Sequence, residues 1–223
     1  MKFFNFLLLL SIMSNQIAKP FLPSNGGRMN YFFGLQITEV LINNQLKQIQ
    51  NSITRSCRYV AKDITSPEKF HMTLFVMELT DEQIPIIKST LMPQAKLLAT
   101  EIFGENIKPS SSIKGIGSFK DRVIWAGINE KHDEYSKLLD FRNRLHKLFK
   151  DQNIKVEDEY KDWSPHITLA KGKNVQRNFL QIKSHLNEDL EFGLQNFSKL
   201  QLMKIGATDP LTKYYHVEDT IDL

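Results

Sequence analysis

Two short runs constrain this 223-residue chain more than anything else in it: FHMTLFV at 70–76 and PHITLAK at 165–171. Each reads His, apolar, Thr, Leu, and the histidines, at 71 and 166, stand 95 residues apart, about half a domain. Side chains alternate across a β-strand, so His71 and Thr73 share one face while Met72 and Leu74 take the other. In the same way His166 and Thr168 share a face, with Ile167 and Leu169 on the buried side. One such strand describes an ordinary half-wet face. Two, each preceded by a helix and a turn, describe a chain of two related halves. If approximate twofold symmetry relates those halves, the polar faces meet in one groove, where two imidazoles and two hydroxyls converge.

The rest of the chain fits that frame. NYFFGLQI, from residue 30, reads as a buried strand. Ile42, Leu46, Ile49 and Ile53 recur at helical spacing. Thr80 with Gln83 signals a second helix start, and Pro85 and Pro93 predict that this helix begins late or is kinked. IKPSSSIKGIGSF and RVIWAGI read as paired strands, and 133–150 as an amphipathic helix with Leu138, Phe141, Leu145 and Leu148 on one stripe. NIKVEDEY is a polar strand or loop. A helix near 176–187 and strands near 199–206 and 213–221 close the chain. The class is mixed α and β, with no glycine-rich dinucleotide or phosphate loop.

Composition sets limits. The formal charge is +4 with a pI near 9.0, which leans toward a polyanionic partner without requiring one. The lone Cys57 forbids an internal disulfide and any multi-thiolate zinc site, and reads as structural. MKFFNFLLLLSIM is too short to span a bilayer but fits a secretory signal core, so residues 1–18 are expected to be a signal peptide and 19–28 a linker. The rival reading is an N-terminal helix on a cytoplasmic or nuclear protein. Asn196-Phe197-Ser198 is a glycosylation sequon that a secreted chain could use.

The four groups suit a phosphodiester. One imidazole takes a proton from the attacking oxygen and the other gives one to the leaving oxygen. Thr73 and Thr168 donate to the non-bridging phosphate oxygens. Two histidines could instead hold a metal, but neither strand brings a carboxylate in the same pattern, so no metal and no cofactor are expected.

These motifs resemble the 2H phosphoesterases, whose name comes from two His-x-Thr/Ser motifs, one per lobe. SPHITLAK is close to the family's second signature and KFHMTL to its first. GIGSFKDRVIWAGI resembles the central strand pair, and the likeness runs over roughly 30–216. Within the family, NYFFGLQIT, FHMTLFVMEL and KYYHVE are most similar to the A-kinase anchor protein type. The resemblance implies an α+β, bilobal fold of two pseudo-symmetric antiparallel sheets flanked by helices around a central groove, formed by residues 29–223. It implies His71 and His166 as the catalytic pair and Thr73 and Thr168 as phosphate ligands. It implies a metal-independent phosphodiesterase acting on 2',5'-linked oligoadenylate or short RNA ends, with 2',3'-cyclic phosphates as an alternative. The partner is then an oligonucleotide or nucleotide substrate, not a stable nucleic-acid complex, and the enzyme a monomer without a membrane span. The anchoring relatives carry a further amphipathic helix, and this chain ends at YYHVEDTIDL, so docking on a kinase regulatory subunit is not expected.

Three more residues are substrate-binding candidates. Phe119 sits where the family places an aromatic near the base, Lys171 follows the second motif, and Tyr214, with Tyr215, could edge the groove. Each has a bland reading as core or surface. A non-catalytic module that binds an AMP-like nucleotide is the rival class, although intact motifs argue against it. His132, His146 and His185 are expected at the surface.

Overall fold

A computed structural model describes residues 27–105, 107–157 and 163–223. The expected signal peptide and almost all of the expected linker lie outside the described residues. The first half builds β1 (Tyr31–Gln36), helix α1 (Val40–Ser56), β2 (His71–Glu78), a short α2 (Gln83–Ile86) and α3 (Met92–Phe103). Next come β3 (Ser110–Phe119), β4 (Val123–Ile128), α4 (Tyr135–Asp151), β5 (Lys155–Val156) and β6 (His166–Lys171). The chain closes with α5 (Lys173–Arg177), α6 (Phe179–Lys183), β7 (Glu191–Asn196), β8 (Lys199–Thr208) and β9 (Tyr215–Asp222). Among the described residues no helix is long and apolar enough to cross a membrane.

The strands order as β7-β3-β4-β6-β2-β1-β8-β9, with β5 added to β2, and every registered pairing is antiparallel. This corrects the expectation of two sheets. The halves fuse into one, because β2 and β6 pair at Met72 and Ile167. That single junction is the pseudo-twofold axis. It joins the two histidine strands themselves, and its register sets His71 across from Thr168 and Thr73 across from His166.

The repeat is closer than the motifs alone suggest. Helices α1 and α4 both have 17 residues, and each begins 31 residues before its histidine, at 40 and 135. Yet each helix packs behind the other half's histidine strand: α1 lies on β6 and also on β7, and α4 lies on β2 and on its own following β5. The two halves therefore interlock around one main core. Pro85 sits in the first turn after Thr80, whose N–H is capped by the Gln83 side chain at 2.9 Å. Pro93 follows a π-helical turn over Ile87–Leu91, which absorbs the hydrogen bond that proline cannot make.

Strand β7 was not expected from sequence. EFGLQN breaks the alternation of a strand, with Gly193 in the left-handed region (φ 113°) and Leu194 exposed. Its place comes from Gln195, whose fully buried side chain accepts from the Thr38 and Glu39 amides at 2.9 and 3.0 Å. A side chain 157 residues away thus ties down the two amides that lead into α1.

Candidate active site

The two histidine strands share an irregularity that shapes the site. In β2, Phe33 pairs with Phe75 and Gly34 with Thr73, so Leu74 is an extra residue. In β6, Ile124 pairs with Ala170 and Trp125 with Thr168, so Leu169 is extra. Each is a β-bulge one residue after the threonine. A bulge reverses the alternation beyond it. Leu74 and Phe75 are both buried, as are Leu169 and Ala170, and the next residue returns to the histidine face. That residue is Val76 in one strand and Lys171 in the other.

The histidines are held alike. His71 Nδ1–H donates to the Lys69 carbonyl at 2.8 Å, and His166 Nδ1–H donates to the Ser164 carbonyl at 2.8 Å. Each bond reaches back two residues and fixes the tautomer, so Nε2 carries the lone pair. The Thr73 hydroxyl donates to His71 Nε2 at 3.1 Å.

The backbone of this face is pinned from behind. The buried Gln50 of α1 donates from Nε2 to the Leu169 carbonyl and to the Thr65 carbonyl, both at 2.8 Å. Arg142 of α4 donates from Nε to the Leu74 carbonyl at 3.2 Å, and Trp163 Nε1–H to the Thr73 carbonyl at 3.0 Å. Both bulged carbonyls are thus held by a side chain of the interlocked helix. Ile49 packs against the edge of the core as its spacing implied, and the helix buries Gln50 beside it.

The two sides of the groove differ. Around His71 stand Phe32 and Tyr215, each with its ring centre 5.0 Å from the imidazole. Gly34 permits this, since a Cβ there would meet Met203 at 2.5 Å and the imidazole at 3.4 Å. Around His166, Phe119 stands edge-on at 4.9 Å and lies 5.2 Å from Trp125. Trp125 lies over Gly117, where a Cβ would collide with the indole at 2.3 Å. Phe119, Trp125, Pro165 and His166 line a cavity of about 280 Å³ whose rim carries Glu130 and Glu188. Trp125 Nε1–H is buried there without a protein acceptor.

Burial pushes the His71 imidazole down to about 4, an effect opposed by its bond to Lys69 and reinforced by His166. Burial also lowers His166, opposed by the Ser164 carbonyl, and Lys171 lowers it further. Both rings are therefore neutral at neutral pH. The stability consequence has a definite sign. An unfolded histidine binds its proton near 6.5 while folded His71 does so only near 4, so between those values the unfolded chain holds more protons. Stability is full above about pH 6.5 and falls as pH drops toward 4. We expect Tm to fall more steeply over this interval in the wild type than in His71→Gln. Parallel Tm profiles would contradict the burial of a neutral His71.

The structure brings His71, Thr73, His166, Thr168, Phe119 and Lys171 to one face. Tyr214 does not join them. It is buried against Phe32 and Met203, while its neighbour Tyr215, the first residue of β9, presents its ring to His71. Tyr214 precedes β9 and packs behind Phe32 in the same small cluster as Tyr215, one layer back from the imidazole, a depth not readable from KYYHVE. Trp125 went unnamed in the sequence reading, although the buried Ile124 and Ala126 on either side of it give the alternation that turns it toward the groove. His146 and His185 are half-buried, against the Phe75 ring and the Ser52 hydroxyl respectively. Among the described residues no group of three or more His, Cys, Asp or Glu side chains is placed to hold a metal ion.

Comparison with known proteins decides the family. The profile of the AKAP7 2'5' RNA ligase-like domain matches residues 29–223. The chain belongs to this family. It is thereby a 2H phosphoesterase-family, LigT-like protein, as the paired motifs implied. Human A-kinase anchor protein 7 isoform gamma is 27% identical over 218 residues, which cover 94% of this chain and 62% of the relative. The chain thus spans under two thirds of that protein's length. The RNA 2',3'-cyclic phosphodiesterase of Aquifex aeolicus (strain VF5) is 28% identical over 159 residues, covering 69% of this chain and 78% of its own. The crystal structure of E. coli LigT complexed with 3'-AMP matches with a TM-score of 0.55 at 16% identity, covering 87% of this chain and 98% of LigT. At that identity the match speaks for the shared fold of this AKAP7-like domain.

Proposed function

We propose that this AKAP7-like domain is a metal-independent phosphodiesterase that cleaves 2',5'-linked oligoadenylate or short RNA ends. The observation that carries the reading is the junction of β2 and β6, where two Nε2 lone pairs and two threonine hydroxyls meet on one face. One imidazole removes a proton from the attacking oxygen as it bonds to phosphorus. The other, protonated, delivers a proton to the leaving oxygen as its bond to phosphorus breaks. The negative phosphodiester favours that second proton by opposing the burial that keeps the apo rings neutral. Thr73 and Thr168 donate to the non-bridging oxygens, so Thr73 exchanges its bond to His71 for one to the phosphate. With acid and base both supplied by imidazole, the proton transfers are complete within this donor set. Phe119 offers a stacking face for a nucleobase beside His166. That the LigT structure holds 3'-AMP supports a nucleotide in such a groove. The apolar run at 3–13 supports a secretory-pathway location.

The test is incubation of the purified protein with 2',5'- and 3',5'-linked triadenylate in EDTA, followed by chromatography. Cleavage of the 2',5' compound alone is expected. The Aquifex relative gives one specific reason for a second reading, a 2',3'-cyclic phosphate substrate. Turnover of 2',3'-cyclic AMP alone would move the assignment there, and turnover of none would leave a nucleotide-binding module.

A further inference from the structure

The pseudo-twofold repeat superimposes geometry but not charge. Lys171, Lys173 and Arg177 follow the second motif, and the positions 95 residues earlier are Val76, Glu78 and Glu82. One exit from the groove is cationic, while its symmetry mate carries no matching cations and its Glu78 is paired with Lys155 at 2.8 Å. Other elements thicken the cationic side. Val123 pairs with Lys171, and the Gly172 amide donates to the Arg122 carbonyl at 3.1 Å, which brings the β3–β4 turn, with Lys120 and Arg122, beside α5. Asp63 accepts from the Asn174 and Val175 amides at 2.7 and 3.0 Å, which docks the 3-10 helix Arg58–Asp63, with Lys62, on the same end. The segments 62–63, 120–122 and 171–177 carry six cations against Asp63 and Asp121, an excess equal to the whole formal charge of +4. All six are exposed, and none makes an ion pair with a carboxylate among the described residues.

Two further features fit a ligand here. Lys120 and Asp121 both adopt left-handed backbone, φ 49° and 55°, at the centre of the three-residue β3–β4 connection, where glycine or asparagine costs less. The turn keeps a cation at backbone expense. Tyr59 is 64% exposed on the 3-10 helix, with the Arg58 guanidinium 5.7 Å above its ring, an open stacking face among the cations. The cavity beside His166 is lined instead by Glu130 and Glu188, and its one lysine, Lys114, is paired with Glu191 at 3.2 Å, so phosphates are less favoured at that end.

We infer that this cationic ridge is a track for the phosphate backbone of single-stranded nucleic acid. A strand with its scissile phosphate between the histidines leaves the groove past Lys171 toward Arg177 and Lys62, and not past Val76. Cations along the path neutralise successive phosphates without reading sequence, and exposed aromatics stack bases. The substrate class is thus an oligonucleotide with several nucleotides on one side of the cleaved bond. This rests on the phosphodiesterase reading for its register, but its test is separate. Binding of fluorescein-labelled oligoadenylate trimer and decamer is measured by anisotropy for the full chain carrying His166→Ala, which blocks turnover. The comparison adds Lys62→Glu, Lys173→Glu and Arg177→Glu together, against a control of equal charge change, Lys88→Glu, Lys131→Glu and Lys199→Glu. The decamer is expected to bind about tenfold or more tighter than the trimer, and only the ridge variant loses that advantage. Its log–log salt slope drops by about 2, from roughly 0.7 per single-strand phosphate. Equal affinity for trimer and decamer, or equal loss in ridge and control variants, overturns the track. So does binding of anionic phospholipid vesicles in place of the decamer. Length-dependent binding in a protein that cleaves nothing keeps the track and sinks the enzyme. Cleavage without length dependence does the reverse.

Discussion

Alanine at His71 or at His166 is expected to lower kcat/KM by about 10²–10⁴-fold, the usual contribution of a positioned acid or base. The double variant should lose little more than either single one, because in the proposed mechanism the two rings act as one unit. His71 is packed between Phe32 and Tyr215, so its removal also leaves a gap; glutamine, which fills more of that space, should keep the fold and still lose turnover. The measurement is steady-state cleavage alongside a thermal melt. Turnover within tenfold of wild type in a folded single variant would remove that histidine from the chemistry.

The second large effect is expected far from the reacting atoms, at Gln50. Its Nε2 holds the Leu169 carbonyl at the bulge of β6, one residue after Thr168. Methionine has similar length but no donor, and leaves the Thr65 carbonyl without its side-chain partner as well. The Leu169 carbonyl still accepts from the Thr65 amide at 2.9 Å, so the cost in stability is that of two lost side-chain hydrogen bonds, about 1–3 kcal/mol. The more telling consequence is kinetic. If the bulge relaxes, the face carrying His166, Thr168 and Lys171 shifts against β2, and displacement of catalytic groups by about 1 Å costs up to roughly 10²-fold. We expect kcat to fall about tenfold or more with KM little changed. A lowered Tm with an unaltered kcat would make Gln50 a purely structural residue.

The interlocked halves give that expectation its reason. Gln50 belongs to the first repeat and supports the second motif; Arg142 belongs to the second repeat and supports the first. Neither half can position its own histidine strand alone. Such an arrangement keeps the two imidazoles in fixed relation although they come from sequence positions 95 residues apart.

Local pattern alone was enough for much of this protein. Alternation put His71 with Thr73 and His166 with Thr168 on polar faces, because a strand's two-residue period is a property of any four consecutive residues. Helical spacing marked α1 and α4, and Pro85 and Pro93 marked the irregular start of the helix between them. What the sequence left open depends on partners distant in the chain. The junction at Met72 and Ile167, which makes one sheet of two, is a choice between strands that pattern cannot rank. The bulges that return Val76 and Lys171 to the groove insert one residue against a neighbouring strand, and an isolated strand has no register to violate. Gln50 looked like a polar residue beside the apolar stripe until Leu169 and Thr65 gave it carbonyls to bind. Tyr215 rather than Tyr214 meets His71 because β9 begins at Tyr215, paired with Thr208 of β8, while Tyr214 stays behind Phe32. Residue identity determined which reactive groups this chain carries; only the tertiary structure decided where they stand, since long-range hydrogen bonds fix register and no local preference encodes them.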